Sequence, residues 1–243
     1  MPVARGFTLT ELAVVLVIIA LLVGGLLIPL SAQIDARDSN DTRRAMAEIR
    51  EALLGFVVVN GRLPCPALAT TASTAAGAGQ EGPRTPAGCT NPAGVLPWVT
   101  LGLAETDAWG RRYTYRLTQV FGGDVGNAGI PGCGPAVQAA FLLCTVGDIR
   151  VDASAGGVWI AQNVPAVVVS HGKNGNGAFT SQGNQLPLGA DADELVNQLI
   201  PAGTSTANPA FVSRPAIAAF DDQVIWLPPG VLFSRMISAG KLP

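Results

Sequence analysis

The nineteen residues Leu12–Leu30 carry no charge. At about 1.5 Å per helical residue they cover roughly 28 Å, the depth of one hydrocarbon core. This predicts a helix that is apolar on every side. Beyond Thr42 the pattern changes: Ala45, Met46, Ile49, Leu53 and Phe56 recur at three- and four-residue spacing, one face of an amphipathic helix. Asn60-Gly61 supplies a C-terminal cap, and Pro64 follows shortly after. The two stretches join into one predicted helix from about Phe7 to Val59. Gly24-Gly25 and Pro29 should weaken or bend its first half, because glycine is flexible and proline removes a backbone hydrogen bond.

The remainder reads as loops and short strands. Residues 61–94, with TTASTAAGAGQEGPRTPAG at their centre, have loop composition. Then come VLPWVTLGL, RRYTYRLTQV, AAFLLCTV, GVWIA, AVVVS and QVIWL, runs of β-branched and aromatic residues bounded by Gly, Pro, Asn or Asp. GGDVGNAGIPGCGP is turn chemistry, and PAGTSTANPAFVSRP reads as another loop. DADELVNQLI, at 191–200, reads as a short helix with acidic residues at the positive end of its dipole. VLFSRMISAGKL resembles a short amphipathic helix. The predicted class is α+β: one long N-terminal helix laid on an antiparallel sheet of four to six strands with long loops.

Composition adds two bounds. Net charge is −2, which gives no general case for nucleic-acid binding, and charged residues make up 13% of the 243 residues, below the roughly 25% of ordinary soluble domains. The four cysteines, Cys65, Cys89, Cys133 and Cys144, contain no CxxC pair, so they do not read as a zinc site. An even number beyond a membrane segment points to two disulfides in an oxidising compartment. Proximity favours Cys65–Cys89 and Cys133–Cys144, though four cysteines allow three connectivities.

The N-terminus carries the strongest signal. RGFTLTELAVVLVIIALLVGGLLIP is a short basic leader ending in Gly6, then Phe7-Thr8-Leu9-Thr10-Glu11, then the apolar run. It resembles the N-terminus of the type IV pilin superfamily, which includes the pseudopilins of type II secretion. The resemblance implies cleavage by a prepilin peptidase between Gly6 and Phe7 and N-methylation of Phe7. Glycine there has a physical reason, since lacking a Cβ it lets a protease approach the backbone. It also implies that Glu11 pairs with the N-terminal amine of a neighbouring subunit during assembly. A carboxylate in lipid is costly until it finds such a partner.

The implied organisation is a leader at 1–6, a membrane and filament-core helix at 7–30, its amphipathic extension at 31–60, and a globular β-rich domain at 61–243. The implied location is the bacterial inner membrane, single-pass with the globular domain in the periplasm, then a periplasmic or extracellular filament. The implied partners are the peptidase, other pilin or pseudopilin subunits, an inner-membrane assembly platform, and lipid before assembly. A membrane-anchored periplasmic binding domain, for DNA or a protein partner, is the alternative.

A looser resemblance covers the second half. DAWGRRYTY (107–115), VVSHGKNGNGA (168–178) and DDQVIW (221–226) are similar in order to elements of major pseudopilins, where the later two form a calcium-binding loop. Carried over by position, Asn174 stands where the family has an aspartate, and Asp222 stands where it has the aspartate before tryptophan. Asn174 lacks that charge and Lys173 adds an opposite one, whereas calcium takes six to eight oxygens, usually with several carboxylates. Without an ion, Lys-Asn-Gly-Asn-Gly is turn chemistry, and Asp221-Asp222 a solvated strand start. No other cofactor is implied.

Nothing reads as a catalytic centre. His171 is the sole histidine, and Ser170 beside it would point to the opposite face of a strand. GKNGNG is no phosphate loop. Arg111, Arg112 and Arg116 form a small basic cluster that reads as a solvated strand, with DNA contact as the alternative. Trp98, Trp109, Trp159 and Trp226 read as core anchors.

Overall fold

The computed structural model describes residues 6, 8–126, 133, 138–198 and 209–243, with the side chains of 23–30 excluded. In chain order the elements are α1 (Leu9–Asn60), β1 (Arg84–Thr85), β2 (Gly88–Cys89), β3 (Ala93–Val95), α2 (Trp98–Leu101), β4 (Arg111–Arg112) and β5 (Thr114–Leu117). A 3-10 turn at Gln119–Gly122 follows. Then come β6 (Ile149–Asp152), β7 (Trp159–Val164), β8 (Ala166–Ser170), β9 (Phe179–Thr180), α3 (Ala192–Asn197), β10 (Ala210–Val212), β11 (Gln223–Trp226) and α4 (Pro229–Ser238). The chain forms two units, Met1–Asn40 and Asp41–Pro243.

In the first unit every side chain from Leu9 to Leu22 is exposed, Leu12 at 57% and Leu21 at 71%. Among the described residues no helix is long and apolar enough to cross a membrane. The apolar run continues into residues 23–30, so the part of it beyond Val23, and the bend anticipated at Gly24-Gly25 and Pro29, lie outside the described side chains.

The second unit is built on the amphipathic stripe. Met46, Ile49, Leu53, Leu54 and Val57 of α1 are buried, and Ala45 and Phe56 are half-buried. The helix stops where predicted. Gly61 takes φ +70°, its N–H donates to Val57 O at 2.8 Å, and a Cβ there would sit 2.6 Å from Gln138 O.

The stripe packs on a four-stranded antiparallel sheet of order β11-β8-β5-β3. Strand β8, AVVVS, is buried along its whole length and is flanked on both sides. Its alternating side chains divide between two cores. Ala166 and Val168 join Tyr115, Leu117 and α1, together with Leu232 and Met236 of α4. Val167 and Val169 join Ile149, Val151, Val164 and Phe211. That second core is closed by a three-stranded sheet, β10-β6-β7, in which β10 runs parallel to β6 and β7 antiparallel.

Three expectations need correction. Of VLPWVTLGL only Val95, the end of β3, lies in a strand: Pro97 precedes a helical turn at Trp98–Leu101, and Gly102 at φ +69° caps it. AAFLLCTV, 139–146, is a loop, buried at Ala139–Phe141 and exposed at Leu143 and Val146, whose Ala140 N–H donates to Gly61 O, while the Thr145 hydroxyl accepts from Leu142 N. PAFVSRP holds strand β10, whose partner β6 lies some sixty residues earlier in the chain. The loop 61–94 is anchored at its two ends by Cys65–Cys89, with Cα atoms 5.4 Å apart, and Cys133 is joined to Cys144 at 6.0 Å. Glu81 adds a further tie, pairing with Arg62 and accepting from Cys65 N at 2.9 Å.

Candidate functional site

At the N-terminus, Gly6 is exposed and Phe7 lies outside the described residues. Thr8 and Glu11 form a capping box. The Thr8 amide and hydroxyl donate to Glu11 Oε2 at 2.9 and 2.8 Å, and Glu11 N–H donates to the Thr8 hydroxyl at 3.3 Å. A Thr-x-x-Glu at a helix start is the sequence signature of this arrangement. It directs the carboxylate toward the start of α1, the end where cleavage after Gly6 would leave a new amine. The capping role was legible in Thr8-Leu9-Thr10-Glu11, and reading Glu11 for assembly alone overlooked it.

The late motifs meet around α3. Asp191 starts that helix by accepting from Asp193 N and Glu194 N at 3.0 and 3.2 Å. Glu194 and Asn197, three residues apart on one face, are both buried. Glu194, Asp221 and Asp222 each bring a carboxylate oxygen within 4.8 Å of the others. Burial raises the Asp221 pKa, and the Glu194 and Asp222 charges add to the rise, against hydrogen bonds from the Asn174 and Lys173 amides. Asp222 Oδ1 is buried without a hydrogen bond and lies 3.7 Å from His171 Nδ1.

The structure brings Asn174 to this cluster, with its side-chain nitrogen 2.5 Å from Glu194 Oε1. Asn176, Glu194 and Asn197 complete the constellation and carried no signal of their own in the sequence. Their meeting depends on the turn at Gly175, φ +64°, and on the pairing of β11 with β8.

Ser170 and His171 part as alternation predicts. Ser170 donates to Asp107 Oδ2 at 2.6 Å, whereas His171 Nε2 lies 2.8 Å from the Thr114 hydroxyl. Both are wholly buried. Asp107 also accepts from Trp109 N and Arg111 N, each at 3.0 Å, which explains the DAWGR turn. Burial raises the Asp107 pKa against these hydrogen bonds.

The arginines correct the reading of a solvated strand. Arg112 is 0% and Arg116 9% exposed. Arg112 pairs with Glu105 at 2.8 Å, donates to Ala69 O, Ser73 Oγ and Ser181 O, and stacks 4.7 Å from the Trp98 ring. Arg116 lies 3.7 Å from Asp148, and burial lowers its pKa. These cations tie the domain together from inside. Of the tryptophans, Trp98 is buried as an anchor, whereas Trp159 is 53% exposed.

Residues 1–27 match the family described as the prokaryotic N-terminal methylation motif. The chain therefore carries a prepilin-type methylation motif, consistent with a type IV pilin or pseudopilin precursor. Searches of curated proteins and of solved structures found no match.

Proposed function

We propose that the chain is a pilin-like structural subunit, assembled into a type IV pilus or a type II secretion pseudopilus as a minor or accessory component. A prepilin peptidase cleaves it between Gly6 and Phe7, and Phe7 is methylated. Before assembly it is held in the bacterial inner membrane with its globular domain in the periplasm. In the filament, the first half of α1 packs among other subunits' helices and Glu11 pairs with a neighbour's N-terminal amine. The chain performs no reaction.

The observation that carries this reading is the match of residues 1–27 to the N-terminal methylation motif. Its physical complement is the apolar surface of α1. A helix exposing Leu12, Val14, Val15, Leu16, Ile18 and Ile19 together leaves a large apolar area in water. At roughly 25 cal/mol per Å², lipid or neighbouring helices must cover it. Glu11 would then hold helix register inside an apolar bundle.

The test is co-expression with a prepilin peptidase. The wild-type chain is expected to shorten by its leader, and Gly6→Val to stay at precursor size. Equal sizes for both would remove the reading.

A membrane-anchored binding domain is the second reading. What favours it is β7, an edge strand whose flank and first residues, Val158, Trp159 and Ile160, are 76%, 53% and 48% exposed. Under that reading Glu11→Ala retains function; a filament subunit loses it.

A further inference from the structure

The looser resemblance would set a calcium ion where Glu194, Asp221 and Asp222 converge. Calcium is bound by oxygen atoms. Two carboxylate oxygens here, Asp221 Oδ1 and Asp222 Oδ1, are buried without a hydrogen bond, against the six to eight oxygens that calcium takes, and N–H donors hold the others. Asn176 N–H donates to Asn174 Oδ1 at 2.9 Å. A backbone N–H can only donate, so this bond fixes the orientation of the Asn174 amide. Its Nδ2 is thereby left on Glu194 Oε1 at 2.5 Å. Asn176 Nδ2 takes the other oxygen, Oε2, at 2.8 Å, and Asp221 N–H reaches Oε1 at 3.3 Å. Glu194, 1% exposed, therefore accepts from three N–H groups.

Each of the other two carboxylates is held through one oxygen. Asp221 Oδ2 accepts from Asn174 N–H at 2.9 Å. Asp222 Oδ2 accepts from Asn197 Nδ2 at 2.9 Å. That amide is oriented too, because its Oδ1 accepts from Val212 N–H at 2.7 Å. The donor set does not fit a calcium ion. An incoming cation would meet amide nitrogens, which carry positive partial charge, and would have to strip Glu194 of its hydrogen bonds. These donors occupy Glu194 Oε1 and Oε2, Asp221 Oδ2 and Asp222 Oδ2, four of the six carboxylate oxygens of the cluster.

We infer that this loop is tied to α3 and β11 by amide donors standing in for a metal ion, and that the domain folds without calcium. Asn174 and Asn176 hold Glu194, and Asn197 holds Asp222. At position 174 one substitution decides between the two devices. Asn174→Asp would replace a donor to Glu194 with a fourth carboxylate in the cluster, a charge that a divalent cation would then have to neutralise. The inference stands apart from filament assembly, so either can fail alone.

The test is thermal unfolding of the full chain in detergent, followed by tryptophan fluorescence, with excess EDTA and with excess calcium. The wild-type Tm is expected to agree within about 1 °C between the two conditions, because a cation that does not bind the native state cannot shift its unfolding. Asn174→Asp is expected to lose about 5 °C or more in EDTA and to regain most of it in calcium. A wild-type Tm that rises with calcium overturns the inference, and that comparison decides even if the variant fails to fold. An Asn174→Asp protein as stable in EDTA as the wild type, or one indifferent to calcium, overturns it as well.

Discussion

Single residues in this chain carry roles that their neighbours define. Asp107 organises its turn through three accepted hydrogen bonds while buried, and burial raises its pKa. The folded state therefore holds that proton more tightly than the unfolded chain. Its contribution to stability is greatest below the unfolded pKa of about 3.9 and falls as pH rises through the folded value. Asn keeps the shape and has no charge to bury. Urea unfolding should find Asp107→Asn gaining stability relative to wild type as pH rises from about 4 to 7. Asp107→Ala, which strands two backbone donors, should cost roughly 2–4 kcal/mol throughout. Arg112 is the converse case, a cation wholly buried and fully engaged. Arg112→Lys cannot reproduce its fork, and Arg112→Ala should cost about 3 kcal/mol or more in the same measurement. That burial is not legible in RRYTYR, which alternates like a strand with arginines on its wet face; the loop segments near Ala69 and Ser181 make that face dry at Arg112.

At the level of elements, the amphipathic half of α1 was legible because its period is set locally. Leu53→Ala should destabilise the domain by about 2–5 kcal/mol, whereas Val59→Ala, at a site 75% exposed, should change little. Chemical denaturation of both variants checks the contrast. The core strands β5, β8 and β11 were legible for the same reason, as runs bounded by turn residues. What escaped depended on distant partners. Strand β10 is three residues long and exists because β6 offers its edge. Ala139, Ala140 and Phe141 are buried, yet the N–H of Ala140 is taken by Gly61 just past the end of α1 and not by a neighbouring strand. The disulfide Cys65–Cys89 secures a 24-residue separation that little other regular structure holds. Replacing both cysteines with serine should cost about 2–4 kcal/mol by calorimetry.

For the whole molecule, the two units follow different physics. Asp41–Pro243 buries a core on either side of the sheet β11-β8-β5-β3 and pairs buried arginines such as Arg62 and Arg112 with carboxylates of its own. The described side chains at the start of α1 leave their apolar surface open. The N-terminal methylation motif was legible because it is a short local segment of sequence. The constellation around α3 was illegible, because six side chains from three separate segments meet there only after folding. The central claim concerns the first of these regions. Its most direct test is the intact mass, with the N-terminal peptide mass, of the protein taken from its native membrane. A mature chain beginning at N-methylated Phe7 is the predicted result. A chain that retains Met1–Gly6, or one cut beyond the apolar run, would contradict it and leave an anchored or secreted binding domain.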